Sequence, residues 1–166
     1  LKSKVLALTA LATFSIFSAA TQAAPLKIAG MVPLSGASAA TGELYVQAMT
    51  YVVNRFNENG GWHGEPIKLE FYDTQESTGV ASDRFQQAVA EGMNIIAQGG
   101  GSSVAASLSG DVRRWNRRHP DQQVLSFTMG GEAAGLTGEN CHFHHFRFAT
   151  TAAIRVQALM AAMSET

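Results

Sequence analysis

The chain has 166 residues, 46% of them hydrophobic and 15% charged, with a formal net charge of -1 at pH 7. That length is one domain's worth, and the composition is that of a globular chain and not of a disordered one. With near-neutral charge and no basic block there is no electrostatic footprint for a phosphate backbone, which excludes nucleic acid as a partner and leaves small, neutral or mildly charged ligands.

The first stretch, LKSKVLALTALATFSIFSAATQA over residues 1–23, sets Lys2 and Lys4 ahead of an apolar run from Val5 to Phe17. Small residues and Thr21-x-Ala23 follow, immediately before Ala24-Pro25. This is the pattern of a cleaved secretory signal peptide, and a periplasmic location is expected from it. The run falls short of the ~20 apolar residues that a spanning helix needs. No cysteine lies near the cleavage point, which argues against a lipid-anchored mature form. The chain opens on Leu1 where a start codon would give Met, so an alternative start or a fragment is expected. Export leads to an oxidising compartment where disulfides are usual. Cys141 is the one cysteine, so no internal bridge can form and any partner would lie outside this sequence.

After the leader, strand and helix patterns alternate. LKIAGMV (26–32) is an apolar run closed by Pro33 and predicts a strand. From Gly42 to Asn59, Leu44, Ala48, Val52, Val53 and Phe56 recur at helical spacing, and Gly60-Gly61 stops the helix. PIKLEFYD (66–73) alternates Ile67, Leu69 and Phe71 with polar neighbours, the period of a strand. Ser82 to Glu91 predicts a helix with Phe85, Ala88 and Val89 inward, closed by Gly92. MNIIA (93–97) is a third strand, Val104 to Arg118 a third helix, QVLSFT (123–128) a fourth strand, CHFHHFRF (141–148) a fifth, and Thr151 to Met163 a last helix.

Strands that read as nearly continuous apolar runs, alternating with helices, predict an α/β fold: a Rossmann-like parallel sheet flanked by helices. Ligands of such sheets bind outside the carboxyl ends of the strands. The informative loops are therefore Pro33 to Thr41, Asp73 to Thr78, Gln98 to Ser103 and Met129 to Thr137.

The third of these, within QGGGSSVAAS (98–107), admits three readings. A pyrophosphate cradle would use the free amides of a helix N-terminus. The dinucleotide fingerprint, however, requires a glycine where Val104 stands and belongs after the first strand. A tight turn with Ser102 or Ser103 as helix cap is the plain structural alternative. The third adds a ligand carboxylate, held by a serine hydroxyl and exposed amides, with the glycines leaving room for it. The last two share one position and stay open together.

Five segments taken in order carry a resemblance: VPLSGASAATGE, NRFNENGGWHGEPIKLEFYDTQES, IIAQGGGSSVAAS, LSFTMGGEAAGLT and FRFATTAA. Together they resemble substrate-binding proteins of branched-chain amino acid ABC transporters, over about Ala24 to Met163. The chain looks like the N-terminal lobe of a type I periplasmic binding protein of the leucine/isoleucine/valine group, truncated. The resemblance implies a ligand-binding lobe over 24–150 and, over 151–166, the start of a crossover to a second lobe. In that family the serine pair after the third strand holds the ligand's α-carboxylate, which corresponds here to Ser102 and Ser103. A small residue and a threonine after the fourth strand usually bind the same polar end; they align with Gly131 and Glu132. An aromatic late in the first loop aligns with Thr41.

Two of these positions depart from the pattern. Glu132 would set a carboxylate near the site of the ligand's own, and like charges a few Å apart repel more strongly as water is excluded. Either Glu132 turns away, or it pairs with the ligand's ammonium or another cation, or the ligand is not a simple aliphatic amino acid. Thr41 makes a smaller, less apolar wall than an aromatic. The implied function is an extracytoplasmic solute receptor delivering an amino acid or similar ligand to an ABC importer, a monomer when full length, with the membrane permease as its partner and without catalysis or cofactor. Two alternatives stand beside it: a ligand sensor of amide or urea type on the same fold, and an exported nucleotide-dependent enzyme. The resemblance also implies that the 166 residues alone bind weakly or not at all and expose an apolar face.

The remaining chemistry is thinner. Cys141, His142, His144 and His145 are metal-ligand types. Strand alternation would set His142 and His144 on one face and Cys141 and His145 on the other, so only pairs converge and no metal site is expected. Asp73 has no base or nucleophile at a motif spacing and reads as part of a turn. The arginines of RRWNRRHP (113–120) suit the C-terminal end of a helix.

Overall fold

In the computed structural model, residues 25–164 are described; the segment 1–23 read as a signal peptide lies outside them. Five strands form one sheet: β1 (Lys27–Val32), β2 (Lys68–Asp73), β3 (Ile95–Gln98), β4 (Leu125–Thr128) and β5 (His145–Arg147). They lie in the order β2-β1-β3-β4-β5, and every pairing is parallel. The helices are α1 (Ala39–Glu58), α2 (Thr78–Ala90), α3 (Ser102–Arg118) and α4 (Ala152–Ser164). The predicted α/β architecture is thus the one the chain adopts. β1 lies inside the sheet between β2 and β3, so the chain crosses it once after β2, and the loops following the strands gather at one edge.

Local chemistry accounts for the boundaries. The Ser77 hydroxyl accepts from the Val80 amide and starts α2. Gly92 follows α2 at φ +80°, the left-handed conformation of a helix-terminating glycine. α1 begins three residues earlier than its apolar spacing suggests. Its first turn contains Gly42, which is buried and packs so closely on the end of β1 that an added Cβ would sit 1.7 Å from the Pro33 carbonyl oxygen.

The core lies between the sheet and the α2/α3 layer. Ala29, Met31 and Ile96 from the strands meet Phe85 and Ala88 of α2 and Val104, Leu108 and Val112 of α3, all fully buried. Trp115 packs edge-on against Phe85, with ring centroids 6.3 Å apart. At the far end of α3, the buried Asn116 side chain donates to the Val124 carbonyl and accepts from the Val124 amide, at 2.8 and 2.9 Å, which ties the helix to the start of β4. Among the described residues the other face carries α1 alone. Ile28, Ile95 and Phe127 of the sheet, with Met49 and Val53 of α1, line an apolar groove of about 540 Å³. Leu44, Tyr51 and Val52 of α1 are exposed beside it.

The expected strand over 141–148 is corrected to His145–Arg147, because residues 141 and 142 are irregular and the chain turns at Phe143 and His144. Strand alternation therefore does not govern the histidines. His142 Nε2 lies 3.0 Å from the Ser109 carbonyl oxygen on α3, His145 Nδ1 lies 3.2 Å from the Ser126 hydroxyl, and His144 reaches Gln123. Among the described residues no group of three or more His, Cys, Asp and Glu could hold a metal ion. Burial lowers His145 below the usual imidazole range, helped by His142 and Arg147. Burial also lowers His142, by more than its bond to Ser109 raises it. Both are neutral in the fold at pH 7. Below the unfolded value of about 6.5 the unfolded chain binds protons that the folded chain does not, so stability is complete above that pH and is lost as the pH falls. A thermal melt series from pH 7.5 to 5 should show a falling midpoint, and His145→Gln should flatten it. An equally steep series in the variant would count against this account.

Candidate ligand-binding cleft

The loops after β1, β2, β3 and β4 meet at the carboxyl edge of the sheet and line an open cavity of about 300 Å³. Thr41 and Tyr45 of α1, with Pro33 and Ser38 just before it, form one wall, Glu76 another, and Gly99 to Gly101 with Gly130 the rest. Asp73 holds two of these loops together. Its carboxylate accepts from the Leu34 amide at 2.8 Å and the Gln75 amide at 2.9 Å. Partial burial pushes the Asp73 carboxyl up, but hydrogen bonds from the Ser35 hydroxyl and from the Leu34, Gln75 and Ser35 backbone outweigh it and hold the group below the usual range.

The next turn is unusual. Gln75 and Glu76 both sit at φ +52°, a left-handed conformation that side chains other than glycine adopt at a cost. It aims Glu76 at the glycine loop, where Oε1 accepts from the Gly101 amide at 2.5 Å. A Cβ on Gly100 would lie 2.9 Å from Glu76 Oε2, and one on Gly101 would lie 2.4 Å from Oε1. The space those two glycines leave is filled by the chain's own carboxylate.

Ser102 does not cap the helix. Gly101 is the N-cap, without a side-chain bond, and Ser102 occupies the first helical position. Its hydroxyl instead accepts from the amides of Glu132 and Ala133, at 3.0 and 3.1 Å, and so pins the loop after β4 to the start of α3. Two loop amides that helix capping would have left without partners outcompete the local bond. Ser103 is exposed on the next position. Ser102→Ala strands both amides and should lower stability by about 1–3 kcal/mol. A denaturant titration that finds less than about 0.5 kcal/mol, the usual surface value, would sink that assignment.

Gly131 is buried behind the cavity, where a Cβ would lie 2.9 Å from both Ala105 Cβ and Leu136 Cδ1. Its neighbour Gly130 is the residue that faces inward, with a virtual Cβ 2.5 Å from the Gly100 carbonyl oxygen and 3.1 Å from the Tyr45 hydroxyl. Glu132 turns to a cation of the chain: its Oε1 accepts from Arg155 Nη1 on α4, and its backbone carbonyl accepts from the Ala152 amide. Arg147 donates to the adjacent Ala133 carbonyl. Thr41 does line the cavity. One helical turn on, Tyr45 supplies the aromatic wall that Thr41 lacks, its ring lying 2.7 Å from where a Gly99 Cβ would be.

The structure thus brings Thr41 to the cavity, joins Ser102 and Glu132 in one bonded chain outside its lining, and leaves Ser103 outward and Gly131 behind. Sequence reasoning missed Tyr45, Glu76 and Gly130. Tyr45 carried a usable signal, because it stands four residues after Thr41 and shares its helix face.

A family model described as "Periplasmic binding protein" matches residues 25–166. The chain belongs to the periplasmic binding protein family. It is 44% identical over 148 residues to Leu/Ile/Val-binding protein homolog 4 of Brucella abortus, a match covering 89% of this chain and 36% of that relative. Among solved structures it is similar to the leucine-, isoleucine-, valine-, threonine- and alanine-binding protein of Brucella ovis in its closed conformation. That likeness has a TM-score of 0.75 and 47% identity and covers 78% of this chain and 33% of the other. A Streptococcus pneumoniae branched-chain amino acid transporter substrate binding protein in complex with isoleucine aligns with TM-score 0.67 at 19% identity, covering 76% of this chain and 34% of that one, a likeness of fold alone. The chain therefore spans about a third of the length of these relatives.

Proposed function

We propose that this periplasmic binding protein chain is the N-terminal part of an extracytoplasmic solute receptor, which takes a branched-chain or related amino acid into a two-lobed cleft and delivers it to an ABC importer. The observation that carries the reading is the cavity at the carboxyl edge of the sheet, formed by the loops after four of its strands and lined by hydroxyls, glycine backbone, one aromatic ring and the Glu76 carboxylate. Membership of the family and the names of the two Brucella relatives support the ligand class. Residues 24–150 form the ligand-binding lobe in this proposal, and 151–166 begin the crossover to a second one. The exposure of α4 along its whole length supports this, since Ile154, Leu159 and Met160 present apolar surface to solvent. Residues 1–23 act as a cleaved signal peptide that takes the protein to the periplasm, where its partner is the inner-membrane permease.

The role is binding and not catalysis. A nucleotide-dependent enzyme is disfavoured by Glu76, whose carboxylate already occupies the glycine loop and would repel a pyrophosphate. A thermal-shift panel of amino acids, simple amides and urea on the intact protein tests the proposal. A ligand at about 100 times its Kd should add about 2.7 kcal/mol of stability, so an aliphatic amino acid should raise the midpoint by several degrees. A panel in which only urea or amides act would favour the sensor, and no response from any compound would remove the receptor reading.

A further inference from the structure

A second recess, of about 160 Å³, lies between the middle of α3 and the chain that follows β4. Ser109, Gly110 and Arg113 line it on one side, and Leu136, Asn140 and His142 on the other. None of these residues lines the cleft cavity, and no carboxylate lines the recess. The nearby acids are engaged elsewhere. Asp111 takes the Ser82 hydroxyl of α2 and the Arg114 guanidinium, and Glu139 Oε1 lies against Gly135, 3.0 Å from where its Cβ would be. The ion pairs among the described residues employ Arg55, Lys68, Arg114 and Arg155, which leaves the exposed Arg113 unmatched. His142 forms a fixed wall. Its Nδ1 accepts from the His144 amide at 3.3 Å, so Nε2 carries the proton, 2.9 Å from the Ser109 hydroxyl and 3.0 Å from the Ser109 carbonyl oxygen. That arrangement leaves the Ser109 hydroxyl proton for another acceptor. Gly110 is destabilising within a helix relative to alanine, but its missing Cβ keeps the recess open and clears Arg114 Nη1, 3.2 Å from the Cβ position.

We propose that this recess is a second binding site, which takes one phosphate group between the Arg113 guanidinium, the Asn140 amide and the Ser109 hydroxyl. The three donors stand on two elements and surround one small space without an acid to compete for them. A guanidinium fork matches two oxygens of a phosphate, and bonds of that kind are about twice as strong as neutral ones. The further oxygens of a tetrahedral anion serve the amide and the hydroxyl, which a planar carboxylate on the fork would leave without an acceptor. The volume falls below the roughly 300 Å³ at which pockets for larger organic ligands begin, so the recess admits a phosphate group and not a base or sugar attached to it. Inorganic phosphate and the phosphate of a lipid headgroup share this chemistry. The site is independent of the receptor reading, since it shares no lining residue with the cleft.

Inorganic phosphate is titrated into the intact protein at low salt and followed through the nuclear magnetic resonances of the His142 ring and the Asn140 side-chain amide. Saturable shifts with a Kd of about 1 mM or tighter are expected. With phosphate bound, the His142 ring should titrate at higher pH than without it. Burial first, and the charges of His144 and Arg113 after it, lower this imidazole against its bond to Ser109, and an anion beside Arg113 offsets part of that lowering. His145, which also faces His142, is followed in the same series. Arg113→Gln should weaken phosphate at least about tenfold with an unchanged thermal midpoint, whereas Arg117→Gln, one helical turn on, should weaken it less than about twofold. Equal losses in the two variants would overturn the proposal, because the phosphate would then sense only the basic end of α3. No saturable shift by about 20 mM phosphate, or acetate binding as tightly as phosphate, would overturn it as well. Vesicles of phosphatidylglycerol and of phosphatidylcholine separate the sources. Sedimentation of the protein with the former that Arg113→Gln abolishes sustains the site as one for a lipid headgroup; phosphate binding without it sustains the site as one for free phosphate.

Discussion

Gly130→Val is expected to weaken ligand binding by about 30- to 150-fold while the protein stays folded, a loss of about 2–3 kcal/mol in affinity. The loops after β3 and β4 touch through backbone here. A Cβ at position 130 would lie 2.5 Å from the Gly100 carbonyl oxygen and 3.3 Å from the Gly99 carbonyl carbon, neither of which is a flexible side-chain end. The two loops must part, and with them the cavity walls that Gly99 to Gly101 and Tyr45 provide. Overpacking of this kind typically costs about 1–3 kcal/mol, well inside the stability of an ordinary domain. Calorimetry with the amino acid that stabilises the wild type, alongside a thermal melt, separates affinity from folding. Gly79→Ala is the matching control, because its nearest neighbour is the Ser77 hydroxyl at 3.9 Å in an exposed helical turn. Alanine there should be neutral or stabilising by up to about 1 kcal/mol. Full affinity in Gly130→Val would mean that the ligand does not touch this cavity.

Phe85→Ala should lower stability by about 3–5 kcal/mol, enough to bring the thermal midpoint down by roughly 10–20 °C. Phe85 is the largest fully buried side chain and sits on α2 within the core shared with α3 and the sheet. Its ring also supports Trp115. Removing it leaves a cavity that the packed helices cannot collapse without losing the register of both on the sheet. Phe143→Ala provides the contrast: at 85% exposure that ring buries little, and its loss should change stability by no more than about 0.5 kcal/mol. Similar midpoints for the two variants would contradict the location of the core.

Much of the fold was legible because its signals are local. Alternation of Ile67, Leu69 and Phe71 marks a strand, the helical spacing of Leu44 to Phe56 marks α1, and Gly60-Gly61 and Gly92 end helices at positive φ. Parallel pairing followed from the order of those elements alone. The fifth strand was overdrawn because CHFHHFRF alternates like a strand, whereas His142 finds its partners on α3 and the chain turns at Phe143 and His144.

The candidate site was legible as a set of loops and less so as a set of side chains. The sequence by itself determined that a glycine-rich loop follows the third parallel strand and opens a helix, at the edge where ligands of such sheets bind. Only the tertiary structure decided what each polar group does there. Ser102 turns from its own helix to the amides of Glu132 and Ala133, thirty and thirty-one residues away along the chain. Glu132 finds Arg155 on α4. Glu76 reaches Gly101 through two left-handed residues that nothing in a Gln-Glu pair favours. The physical reason is the same in each case. A backbone period is written into neighbouring residues, but a hydroxyl or carboxylate goes wherever the fold leaves a donor without a partner, and that is known only once the loops have met.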